Sequence, residues 1–196
     1  MQRGRGQPRA ATLDEIHAAA LDLFRDAGFE SSTMPMIAER AGIGRSTLFR
    51  SFSSRADILW HGYAERTDDF REALAAQPAG IDVVDGAIGA YRSLWSDHPE
   101  RVAVGKQVTM ILEAGDPGET GRSRVHRAWG DLVHEWVLER SGRPRDDVAA
   151  AAAAGAIWAA IWAGAVGFAG SDATSIDNHL AQACAAIDVN LPAISD

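Results

Sequence analysis

Only one cysteine, Cys184, occurs among 196 residues, which excludes an internal disulfide and the paired-thiol spacings of cysteine-based zinc sites. No cationic stretch followed by an apolar run opens the chain, so no secretory signal is expected and a reducing cytoplasm is the expected compartment. Glycine-rich phosphate loops and nucleophile elbows are also missing, which argues against nucleotide and hydrolase chemistry. His126, His134 and Glu135 share one predicted helix, but 126 and 134 are eight residues apart. That is about two helical turns, too far for one zinc ion. No metal, cofactor or catalytic residue is assigned, and an enzyme is not the expected function.

Positive charge is scarce as well. The formal net charge is -8, a poor balance for a partner rich in phosphate, since phosphate attraction supplies most non-specific nucleic-acid affinity. The distribution changes that reading. Residues 1 to 60 hold eight arginines against seven acids, so the acidity lies in the remaining 136 residues, at -9. Arg3, Arg5 and Arg9 stand among glycines and a proline with no acid nearby, and residues 1–9 read as a disordered basic arm.

What the chain does have is apolar residues at helical spacing in nearly every segment, with 46% hydrophobic content, enough for a small head on a larger body. The pattern predicts an all-α protein of about nine helices. Leu13, Ile16, Ala20, Leu23, Phe24 and Ala27 make a first stripe that stops at Gly28. Thr33 caps a short second helix with Pro35 in its first turn, ended by Gly42. The third, roughly Arg45 to Ser51, buries Leu48 and Phe52 and turns a polar face outward. Ser54 and Asp57 resemble a capping box that opens a fourth helix running to about Ala75, before the break at 77–80.

Further on, Val84, Ile88, Tyr91 and Trp95 mark the fifth helix. A sixth starts at Pro99 and carries Val104, Val108, Ile111 and Leu112 up to the turn at 115–118. Val125 to Val137 give the seventh. Val148 to Gly170 lacks any charge, yet alanine and glycine dominate it and no basic cluster brackets it, so a buried helix is expected rather than a membrane span. Ala151, Gly155, Ala159, Ala163 and Gly167 recur every four residues as a smooth stripe that lets another helix approach closely. Thr174 and Asp177 read as the cap of a last helix with Leu180, Cys184, Ile187 and Leu191.

Two short helices joined by a tight glycine turn, the second exposing arginine and hydroxyl groups, match the geometry that places a helix in the major groove. An ordinary helical hairpin has the same spacing, so pattern alone leaves both open. Residues 16–24 (IHAAALDLF), Gly28-Phe29, Ser32-Thr33, 37–43 (IAERAGI) and 47–52 (TLFRSF) together closely resemble the signature of the TetR family of transcriptional regulators. The resemblance covers about residues 12 to 60. It implies a helix-turn-helix head over residues 10–56 and a helical regulatory and dimerisation body over 57–196.

In this frame Arg45 is the expected base reader, because a guanidinium pairs bidentately with guanine, with Ser46 and Arg50 beside it. Thr33, Thr47, Ser51 and Arg55 are expected on phosphates, setting register. Several positions depart from the family: Gly44 replaces a capping serine, Ser46 a glycine, Phe49 the usual tyrosine, Ser51 a histidine or tyrosine, and Arg55 a lysine. Phe49 stays in the DNA-facing set without the phenolic bond to phosphate.

The resemblance further implies a homodimer on palindromic operator DNA, with heads about 34 to 36 Å apart. Gly155, Ala159, Ala163 and Gly167, with Leu180, Cys184 and Ile187, are the expected interface. A small, mostly apolar effector would release the DNA, making the protein a repressor; activation or ligand-independent binding is the alternative. Trp95, Trp129, Trp158 and Trp162, with Met110 and His126, are the expected effector lining, although an aromatic stripe is also ordinary core.

Overall fold

The computed structural model describes residues 11–96, 119–171, 173 and 175–187. Among them the regular structure is entirely helical: α1 Leu13–Ala27, α2 Met34–Arg40, α3 Arg45–Ser51, α4 Arg55–Glu65, α5 Thr67–Ala75, α6 Val83–Ser96, α7 Glu119–Ser141, α8 Val148–Ala169 and α9 Asp177–Ala185. The all-α expectation is met. The basic arm, the predicted sixth helix, the turn at 115–118, Met110, Thr174 and Leu191 lie outside the described residues. The chain divides into two compact units, Met1–Gly62 and Tyr63–Asp196, the division falling inside α4.

In the first unit, α1 opens with a capping box: the Glu15 N–H donates to Thr12 Oγ1 at 3.1 Å and the Thr12 N–H to Glu15 Oε2 at 2.7 Å, satisfying two otherwise orphaned donors. Its inner stripe buries Ile16, Ala20, Leu23 and Phe24. Gly28 ends it at φ +81°, a backbone angle that side chains with a Cβ disfavour. The Phe29 ring then packs back on Phe24 with centroids 4.9 Å apart.

Thr33 caps α2 through the Met36 N–H at 3.4 Å. Past its end, Ile43 N–H reaches the Ala38 carbonyl at 2.9 Å while Gly42 takes φ +67°, the left-handed closure of a Schellman turn. That closure lets α3 begin after only two further residues. At α4 the capping box is shared between neighbours. Ser54 accepts from the Asp57 N–H at 3.0 Å, but the Asp57 carboxylate reaches back to the N–H of Ser53, also at 3.0 Å.

The second unit corrects one boundary. The expected single helix from 54 to 75 is two, because Arg66 at φ -88° and ψ 5° interrupts it. Its N–H bonds three residues back to Tyr63 at 3.2 Å, a tightened turn that ends α4. Contacts distant in sequence hold the break. The Arg66 guanidinium donates to the Leu94 carbonyl at 3.4 Å and lies 4.8 Å over the Trp95 ring, and Thr67 Oγ1 accepts from the Trp129 indole at 3.1 Å.

Here α5 packs on α6 and α7, and α8 lies between α7 and α9. α8 is long and apolar enough to cross a membrane by length and composition, and half of its most apolar window is buried inside the protein. The inner residues of α8 include Ile157, Trp158, Ile161 and Phe168, whereas 151, 155, 159, 163 and 167 lie along an exposed stripe. At Gly164 a Cβ would come within 3.0 Å of backbone atoms of His179 and Leu180, so glycine is what admits α9 to this face.

Candidate functional site

α3 is too short to be stable by itself and is anchored by two apolar side chains on one side. Leu48 is fully buried and Phe52 is 6% exposed. The remaining positions follow from 100° per residue. Ser46 and Arg50 point most directly away from the anchor, Arg45 and Phe49 flank one side, and Thr47 and Ser51 flank the other. Arg45, Ser46, Phe49, Arg50 and Ser51 are exposed and Thr47 is half-buried. The polar face expected from sequence is therefore an outer face.

Within it, the hydroxyl-bearing flank is internally engaged. Arg50 donates to Thr47 Oγ1 at 3.4 Å and Ser51 Oγ to the Thr47 carbonyl at 3.4 Å. Arg45 makes no hydrogen bond or ion pair among the described residues, so its five donors face outward. Exposed Thr33 accepts the Met36 N–H through its oxygen and keeps its hydroxyl proton for an outside acceptor.

Arg55 has a task inside the head that sequence reasoning did not anticipate. Its Nη1 donates to the carbonyls of Phe29, Ser32 (2.7 Å) and Glu30 (3.3 Å), and its guanidinium lies 4.4 Å from the Phe29 ring centroid. It clamps the α1–α2 connection from α4. Sequence reasoning missed this because the three carbonyls lie 23 to 26 residues away and leave no spacing signature.

This head matches the family model described as bacterial regulatory proteins, tetR family, over residues 16–60, the stretch from the core of α1 into α4. The chain belongs to the TetR family. It is a DNA-binding transcriptional regulator. The putative mycofactocin biosynthesis transcriptional regulator MftR of Mycobacterium tuberculosis is 27% identical to this TetR-family chain over 150 residues, 72% of each protein. Two further curated helix-turn-helix regulators are matched over less than half of their own length.

Among solved structures, Thermus thermophilus FadR, a TetR-family repressor in complex with lauroyl-CoA, superposes with a TM-score of 0.65 at 20% identity, covering 94% of this chain and 100% of that one. Bacillus subtilis FadR in complex with stearoyl-CoA gives 0.60 at 15%, covering 90% and 100%. At such identities these two likenesses speak for the fold.

In the regulatory unit of this TetR-family protein the tryptophans are packed on one another. Trp129 is fully buried and stacks on Phe70 at 4.9 Å, with Tyr63, Tyr91 and Trp158 around it at 5.7 to 6.0 Å. Trp95 and Trp158 are 4% and 6% exposed. His126 and Trp162 are only half-buried and meet edge to face at 4.7 Å. Trp129 is thus core among the described residues, whereas the His126 and Trp162 end of the cluster is accessible.

A separate cavity of about 390 Å³ lies between α6 and α9, lined by Val84, Ile88, Leu180, Ala181, Cys184 and Ala185, with Asp85, Arg92 and Asp177. No spacing pattern announced it.

The expected dimer stripes divide. Gly155, Ala159, Ala163 and Gly167 are exposed along α8, and a Cβ at Gly155 would meet nothing within 4 Å. Leu180 and Cys184 are buried inside the subunit at 1% and 6% exposure, because α9 turns its apolar stripe toward α8 and α6. They have almost no surface left to offer a partner. Burial, followed by the nearby Asp85 carboxylate, pushes the Cys184 thiol pKa up. Ile187 is half-buried.

Proposed function

We propose that this regulator is a homodimeric repressor acting in the cytoplasm, where the duplicated α3 helices read a palindromic operator and an apolar effector bound in the helical body lowers that affinity. The outward-facing Arg45, with its fork uncommitted at the start of α3, carries the DNA-reading part, since guanidinium to guanine is the commonest specific base contact. The exposed Gly155, Ala159, Ala163 and Gly167 support dimerisation through α8, because small residues let two backbones approach. An effector with a long acyl chain is supported by the lauroyl-CoA and stearoyl-CoA in the two FadR structures and by the aromatic content of the body. Such a ligand shifts the equilibrium only by its differential affinity for the DNA-competent and DNA-incompetent states.

Selection of the full-length protein against random duplex DNA tests the reading. A palindrome with half-sites about one helical turn apart is expected. Arg45→Ala should lose about 1–3 kcal/mol and relax one position per half-site. Lauroyl-CoA added to the protein–operator complex should release the duplex. An unchanged base preference in Arg45→Ala would remove that residue from base reading, and a complex indifferent to acyl-CoA would remove that effector class. Ala159→Glu should give a monomer in sedimentation, with loss of palindrome binding.

A further inference from the structure

An isolated apolar side chain on a surface is ordinary, so the 53% exposure of Phe49 decides nothing alone. Its position does. Phe49 sits four residues after Arg45 on α3, so the two share one ridge of the helix. Every other exposed residue of that helix, Arg45, Ser46, Arg50 and Ser51, is polar or charged. Phe49 has no hydroxyl to offer a phosphate, and its ring meets no other aromatic ring among the described residues. On a face turned to DNA, a bare phenyl ring is matched by one feature of the major groove, the C5-methyl of thymine, which no other base carries.

We infer that Phe49 reads a thymine methyl in each operator half-site, beside the guanine paired with Arg45. The inference rests on the DNA-reading role proposed above for α3. Four residues span about 6 Å of helix and successive base pairs rise about 3.4 Å, so the thymine lies within about two base steps of that guanine. Burying one methyl against the ring gives close to fourfold in affinity, the equivalent of ~0.8 kcal/mol for one carbon. Phe49 thereby adds a specificity contact that carries no charge and is indifferent to salt.

The experiment replaces each thymine of the selected operator in turn by deoxyuridine, which removes only the methyl, and measures the affinity of the full-length protein. One thymine per half-site should show a loss of about fourfold for the native protein. The same replacement should cost Phe49→Ala nothing and Phe49→Leu an intermediate amount, since leucine keeps an apolar contact and folding is untouched at so exposed a site. Specific binding that is insensitive to every deoxyuridine, or a sensitivity that persists in Phe49→Ala, overturns the inference while leaving DNA reading intact. Uniform weakening of Phe49→Ala on all sequences also overturns it, placing the ring on the sugar–phosphate backbone. Failure to select any sequence would overturn the inference together with the reading on which it rests.

Discussion

Trp158 donates its indole N–H to Nδ1 of His126 across 2.9 Å, joining α8 to α7 at the edge of the aromatic cluster. A ring nitrogen that accepts is unprotonated, so a neutral His126 carries its proton on Nε2. His126→Ala strands a nearly buried indole donor and should destabilise the body by about 1–3 kcal/mol. Trp158→Phe combined with His126→Ala should cost less than the sum of the single changes, measured by urea unfolding. Strict additivity would show that the bond contributes nothing to stability.

Arg55 is expected to act as a clamp of the head. Arg55→Ala should lower the stability of the first unit by about 1–3 kcal/mol, since charged donors to three carbonyls are removed. Arg55→Lys should recover only part, because an ammonium lacks the planar fork. The salt dependence of operator affinity separates this from phosphate binding. An Arg55→Ala slope reduced by about one would show that Arg55 also holds a phosphate.

The chain has two tyrosines, Tyr63 and Tyr91, and both are buried, at 2% and 1% exposure. Burial pushes both hydroxyl pKa values well above the ordinary 10. A group that holds its proton more tightly when folded stabilises the fold below its unfolded pKa and loses that contribution as pH rises above it. Tyrosinate absorbance should therefore stay flat past pH 10 and appear together with loss of helical circular dichroism. Gradual ionisation of a still-folded protein would contradict the burial of both rings.

Asp147 caps α8. The Ala150 N–H, at 2.8 Å from Oδ1, is the largest influence holding its carboxyl below the usual range, and Arg143 on Oδ2 at 2.8 Å adds to it. A depressed pKa gives stability that is present above the unfolded value and is lost as pH falls through the folded one. Asp147→Asn keeps a capping oxygen but has no charge to titrate, so its stability should fall less steeply on acidification below about pH 4. Identical acid profiles would remove Asp147 from the pH dependence.

The order of helices was legible because each carries its own punctuation: Gly28, Gly42, Gly80 and Gly142 all take positive φ at or near helix ends, and Thr33 and Ser54 cap through local bonds. The outer face of α3 was legible for the same reason, since burying Leu48 and Phe52 at a spacing of four leaves the other side chains only one way to point. The Thr12 and Glu15 capping box is equally local, spanning three residues, although the sequence reading did not single it out. By contrast, the Arg66 break interrupts a continuous helical pattern and depends on contacts of Arg66 and Thr67 with Leu94, Trp95 and Trp129, 28 to 62 residues away.

By itself the sequence determined a helical chain with a DNA-facing head, because hydrophobic period, caps and turn glycines act over three to five residues and are written in the order of the chain. Only the tertiary structure decided that Arg55 clamps the α1–α2 connection, that Leu180 and Cys184 face inward and that Trp129 is core. Each of those outcomes is settled by which distant side chain competes for the same donor, acceptor or buried surface once the helices have packed.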